Sequence, residues 1–161
     1  MGFPTREQVE ETRKNFPIGS IVVLDRMDDP QAKPPGTFGV VRWVDDTASV
    51  GVSWHGGGSL YVIYGVDKCH VANEEEMAKY KLLLLSEHQP QNRCPRCGAV
   101  ITQENRLLAL SRRQDILICE HCGTFESLED AGMTDKIPVT EWIAVKEDWK
   151  PGDSAPNGGP K

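Results

Sequence analysis

A chain of 161 residues has room for one ordinary domain or two very small ones, and 39% hydrophobic with 26% charged residues suits a soluble globular protein. Eighteen basic against twenty-four acidic residues leave a formal charge of −6, which argues against a general polyanion binder held by bulk charge. The start, Met1 to Glu7, lacks the apolar core of a secretory signal, Arg6 stands where a myristoylation motif wants Ser or Thr, and the longest aliphatic run, Leu82 to Leu85, is too short for a bilayer, so the expectation is a soluble cytoplasmic protein.

Thr5-Arg6-Glu7-Gln8 fits a capping box and predicts a helix that Asn15 and Pro17 end. From Ile18 to about Val71 the pattern changes to short β-rich runs between turn signals. The predicted strands are Ile21 to Leu24, Phe38 to Val44, Val50 to Trp54 and Ser59 to Ile63. Four or five such strands in so short a stretch imply a small, highly curved sheet or barrel. Asn73 followed by Glu74, Glu75 and Glu76 reads as a helix start. Met77, Tyr80 and Leu84 continue it at helical spacing, although Lys81 to Ser86 also fits a strand. Glu126 to Ala131 reads as a short helix stopped by Gly132, and Pro138 to Trp142 opens another. The resulting domains are an N-terminal helix (1–16), a small β-barrel (17–72), a helix and linker (73–92), a zinc ribbon (93–132), a C-terminal extension with a short helix (133–150) and a disordered tail (151–161).

Four of the five cysteines form two tight pairs, Cys94-Pro95-Arg96-Cys97-Gly98 and Cys119-Glu120-His121-Cys122-Gly123. Each pair can wrap a turn around one ion and present two sulfurs, and the Gly after it tolerates the positive φ such a turn commonly needs. Twenty-one residues separate the pairs, enough for a β-hairpin turning near Arg113-Gln114-Asp115. Two disulfides, iron or a redox dithiol would also use four cysteines. One zinc ion is the expectation, with Cys94, Cys97, Cys119 and Cys122 as ligands. Four protein ligands leave no open position for water or substrate, so such a zinc is structural and not catalytic.

Between Arg93 and Arg113, five arginines face one acid, Glu104, a local excess of four positive charges. Arg106, Arg112 and Arg113 are the candidate phosphate contacts, although a zinc tetrathiolate carries two negative charges that arginines can also balance. Cys69-His70 reads as a buried thiol beside a surface histidine, since strand neighbours face opposite ways. Trp43, Trp54, Tyr61 and Tyr64 suit either a stacking platform or a barrel core, with packing favoured for Trp43 and Trp54. The aspartates at 28, 29, 45 and 46 read as turn chemistry. No Ser-His-Asp set, phosphate loop or paired-carboxylate constellation stands out, so a non-enzymatic role is expected.

The stretch Phe16-Pro17-Ile18-Gly19, Met27-Asp28-Asp29-Pro30, Pro34 to Val41, Val44-Asp45-Asp46, Val52-Ser53-Trp54, Gly58-Ser59-Leu60 and Gly65-Val66-Asp67-Lys68 resembles an uncharacterised domain family of phages, plasmids and other bacterial mobile elements. That resemblance implies a Src-homology-3-like β-barrel, a fold often adapted to bind nucleic acid or protein; Cys69 departs from the pattern, which has an aromatic residue there. Cys94 to Gly98, Ala109 to Arg113, Asp115 to Cys119, Cys122-Gly123-Thr124 and Glu126 to Asp130 are similar to small zinc-ribbon proteins of the same setting, with Pro138 to Trp142 matching their extension. The expected architecture is therefore α+β and mostly β, a Src-homology-3-like barrel followed by a four-cysteine zinc ribbon with short flanking helices. A barrel beside a ribbon also occurs in transcription and DNA-processing factors, which by analogy implies an adaptor for nucleic acid or a nucleoprotein complex in the host-cell cytoplasm. The alternative is an acidic protein-binding module that inhibits a host defence protein through Asp28, Asp29, Asp45, Asp46 and Glu74 to Glu76, with no nucleic-acid contact.

Overall fold

Thr5 caps a helix, α1 (Arg6–Asn15): its hydroxyl accepts from the Gln8 N–H while the Gln8 side chain accepts from the Thr5 N–H, so the predicted box closes. The structure is a computed structural model and describes residues 3–87, 93–102 and 108–151. The chain divides into two units, Met1–Asn73 and Glu74–Lys161, each with a core of its own.

In the first unit, α1 turns Val9 and Thr12 inward. Strands β1 (Ile21–Arg26), β2 (Phe38–Val44), β3 (Val50–Trp54) and β4 (Ser59–Val62) run as an antiparallel meander, and β5 (Lys68–Val71) returns to pair with β1. One face of the sheet is apolar, with Val22, Leu24, Val41, Val50, Val52, Trp54, Val62 and Cys69 packed together. The strand order is β4-β3-β2-β1-β5. The expected closed barrel is not seen: β4 and β5 stand at opposite edges, and no pairing joins them among the described residues. Both are only four residues long, and the turn between them is tied to Asp67, whose carboxylate accepts from the N–H groups of Ile63 and Asp28. A cavity of about 400 Å³, lined by Thr12, Phe16, Val50, Val62 and Cys69, lies between α1 and the strands.

The second unit holds α2 (Glu74–Glu87), the hairpin β6 (Leu108–Leu110) and β7 (Leu117–Cys119), α3 (Glu120–Asp130), a 3-10 turn (Val139–Glu141) and α4 (Ile143–Lys146). The run from 81 to 86, which fits either periodicity, is helical because Ala78, Leu82 and Leu85 make one buried stripe. That stripe packs with Ile116, Ile118, Trp142 and Ala144, so α2 contributes to the same core as the cysteines. Helix α3 starts earlier than the sequence predicts, inside the second cysteine pair, with Cys119 as its N-cap. Among the described residues, no helix is long and apolar enough to cross a membrane. The tail expected beyond 151 and the linker at 88–92 lie outside the described residues.

Candidate metal centre

The first cysteine pair is held by its own backbone. Gly98 N–H donates to the Cys94 carbonyl at 2.8 Å, Cys94 N–H to Ala99 at 2.9 Å, and Ala99 N–H to Cys97 Sγ at 3.4 Å. Gly98 takes the positive φ, 79°, that the tight turn requires. The second pair is built differently. Cys119 ends β7 and caps α3, its Sγ accepting from Cys122 N–H at 3.4 Å. Gly123 is helical and not left-handed; a Cβ there would come within 2.7 Å of the Ala109 methyl group, so what Gly123 permits is close approach of β6 to α3.

These two frames bring the four Sγ atoms of Cys94, Cys97, Cys119 and Cys122 within 4.8 Å of one another. All four are free thiols. Cys94 to Cys122 and Cys97 to Cys119 each measure 3.8 Å between sulfurs. Ligands about 2.3 Å from a central ion stand about 3.8 Å apart at the corners of a tetrahedron, so the donor set fits one metal ion. Backbone N–H groups also point at the sulfurs, including Cys119 N–H to Cys94 Sγ at 3.3 Å, as a thiolate cluster requires. The bare thiols resist ionising together. The hydrogen bond with Cys122 holds Cys94 down at about 5, burial pushes Cys97 up to about 11, and Cys122 is pushed up by its bond to Cys94 and by burial. A central cation removes that conflict by compensating the negative charges.

Around the sulfurs lies a buried ionic network. Arg96, inside the first pair, is buried, donates to the Cys122 carbonyl at 3.1 Å and pairs with Glu129 at 2.7 Å and Glu126 at 3.4 Å. Glu126 also accepts from Ser111 Oγ and from Arg112 N–H, which ties α3 to the β6–β7 turn. Arg113 reaches Glu129 at 2.9 Å and Asp130 at 2.7 Å. Burial pushes the Glu129 carboxyl up, but hydrogen bonds from Arg113 and the Ile137 N–H, with the charge of Arg96, outweigh it and hold the group below its ordinary range. The pattern of acids gave the available signal for this network: Glu126 and Glu129 are three apart on one helical face. What the sequence reading missed is that Arg96 and Arg113 serve these carboxylates and not the sulfurs.

The C-terminal segment closes the other side. Ile143 and Ala144 N–H donate to the carbonyls of Arg96 and Pro95 at 3.3 and 3.0 Å, and the fully buried Trp142 packs in the core that includes Cys94. Arg93 lies over the Trp149 ring, 4.6 Å from its centroid, and pairs with Glu147 at 3.6 Å.

Of the candidate phosphate contacts, Arg112 and Arg113 sit on the β6–β7 turn and both pair with Asp130, while Arg106 lies outside the described residues. The four aromatic candidates separate: Trp54 is core, whereas Trp43, Tyr61 and Tyr64 are exposed. Cys69 is buried, which pushes its thiol up to about 12 with help from the Asp25 charge. His70 faces the other way and bonds to Asp25 at 2.9 Å. His121 stands edge-on to Phe125, outside the four-sulfur set. Asp29 and Asp45 accept from turn N–H groups, as turn aspartates do.

Residues 5–72 match a domain of unknown function, DUF4314. The matched segment runs from the α1 cap to the end of β5 and stops before α2, so it coincides with the first unit and contains none of the four clustered cysteines. No curated protein and no solved structure matches the chain.

Proposed function

We propose that this chain is a non-enzymatic adaptor in which a small β-module, an open relative of the Src-homology-3-like barrel, accompanies a zinc ribbon, and that it binds nucleic acid or a nucleoprotein complex. The observation that carries the reading is the closed four-thiol set. Sulfur-only tetrahedral donors suit zinc, four protein ligands leave no coordination site for chemistry, and the ion then serves to fold its surroundings. The strand order supports the barrel kinship, since a four-strand meander with the fifth strand returned to β1 needs only a β4–β5 closure to become one. The mobile-element setting rests on the sequence resemblance alone.

For the nucleic-acid partner, support comes from cationic and aromatic side chains left at the surface. Arg112 keeps 54% of its side chain exposed despite its pairing with Asp130. Arg113 is a poor probe because its half-buried side chain is committed to Glu129 and Asp130. The test is binding of zinc-loaded protein to mixed single- and double-stranded nucleic acid at low and physiological salt. Salt-sensitive binding, weakened when Arg106 and Arg112 are replaced by Ala, is the expected result. No binding at low salt rejects the reading and favours the second one, a protein-binding module with no nucleic-acid contact. That alternative draws on the −6 net charge and on the acids of the first turn of α2, Glu74 to Glu76.

A further inference from the structure

The face of the sheet opposite the core carries an ordered aromatic surface. Along β3, Val50, Val52 and Trp54 point inward, which leaves Gly51 and Ser53 facing out. A shift of register between Val41 and Trp43 breaks the alternation of β2 and leaves both Arg42 and Trp43 exposed. Trp43 is 47% exposed and Tyr61, on β4, is 39% exposed. These rings are fixed in place: Trp43 Nε1 donates to Tyr61 Oη at 2.6 Å, and their centroids stand 5.9 Å apart at 63°. Gly51 lies beneath the indole, where a Cβ would come within 2.8 Å of the ring, so any other residue would lift Trp43 away. Covering large apolar side chains that are already held rigid at the surface is favourable, since their area leaves water at little further cost in ordering.

Beside the rings stands an uncommitted cation. Arg42 Nε donates to Ser53 Oγ at 3.0 Å, which orients the guanidinium, and no carboxylate pairs with it among the described residues. The acids nearest in sequence are engaged elsewhere, Asp45 with Thr47 and Ser49 and Asp46 with Arg13. Arg42, Trp43, Ser59 and Tyr61 border a slot of about 180 Å³.

We propose that this face binds single-stranded nucleic acid, with a base stacked on Trp43 beside Tyr61 and a neighbouring phosphate on Arg42. The inference rests on the nucleic-acid reading above and assigns its contact surface to the first unit. Stacking is open to every base because each presents a π-face, and an oriented guanidinium supplies the complementary charge. What favours a nucleic acid over an uncharged extended peptide is the guanidinium of Arg42, oriented by Ser53 and left for an anionic group.

The test uses the full zinc-loaded chain and fluorescent thymidine and uridine oligomers of roughly 12 nucleotides, read by anisotropy. Trp43→Leu is expected to weaken binding by about tenfold or more, while Trp43→Phe retains most of it. Arg42→Ala is expected to lower affinity and reduce the salt slope by about one. Circular dichroism establishes that each variant is folded, and if Trp43→Leu is not, the exposed Arg42→Ala decides. Wild-type affinity in folded Trp43→Leu, or in Arg42→Ala where that variant decides, overturns this assignment and leaves the nucleic-acid reading standing. No binding by the unaltered chain at low salt rejects both. Capture of a proline-rich peptide with no oligomer binding overturns the assignment in favour of a protein ligand.

Discussion

Glu129 sits where three demands meet: it is buried, it is charged, and it joins the first cysteine pair to the β6–β7 turn through Arg96 and Arg113. Removing one member of such a buried set leaves the others uncompensated, at about 3–5 kcal/mol. Glu129→Ala is therefore expected to destabilise the second unit by that order, measured by denaturant unfolding of the zinc-loaded protein. The same carboxyl gives a pH dependence of definite sign. Its folded value lies below the ordinary 4.5, so its contribution is fully present above that pH and is lost as pH falls through the folded value. The unaltered protein should lose stability more steeply below about pH 4.5 than Glu129→Gln, which has no proton to take up there. The four cysteines were legible from spacing alone, because two short pairs admit few geometries. Arg96 was visible only as one of five arginines, since nothing local tells a buried ion pair from a solvated charge.

At the level of elements, prediction succeeded where the signal was local. The α1 capping box is satisfied atom by atom, and β2 and β3 begin and end where their turn residues require. It was weaker where packing decides. The Leu82 to Leu85 run is apolar in either conformation and becomes helical because the second core needs one stripe from it. Likewise, nothing in Glu120-His121 announces a helix, yet α3 begins there because the Cys119 sulfur accepts the N–H that starts it. The segment from Trp142 to Trp149 is the least foreseen, acting as a wall against the first cysteine pair. Truncating Trp142 to Ala should cost about 3–5 kcal/mol and admit solvent beside Cys94. The expected readout is faster transfer of zinc to a coloured chelator, with an unchanged rate counting against the wall.

For the whole molecule, two separate cores imply two separable unfolding events. The second core includes two of the four clustered cysteines, so chelation is expected to melt more than the ribbon: α2, α3 and α4 should unfold together while the first unit keeps its sheet. Circular dichroism can tell these apart, since the first unit contains only α1 among the described helices. Loss of helix with retained β signal is the expected result; an unaltered spectrum after verified metal removal would refute it. The wall formed by Trp142 to Trp149 also sets an order of assembly. During synthesis Cys94 and Cys97 leave the ribosome first, the second pair follows, and the residues that cover Cys94 come later still. An ion that meets the nascent chain early finds two sulfurs and water, a loose and exchangeable grip. Only when the residues after Pro138 have emerged is Cys94 covered, so metal acquired in translation is expected to stay open to exchange on that side until α4 docks.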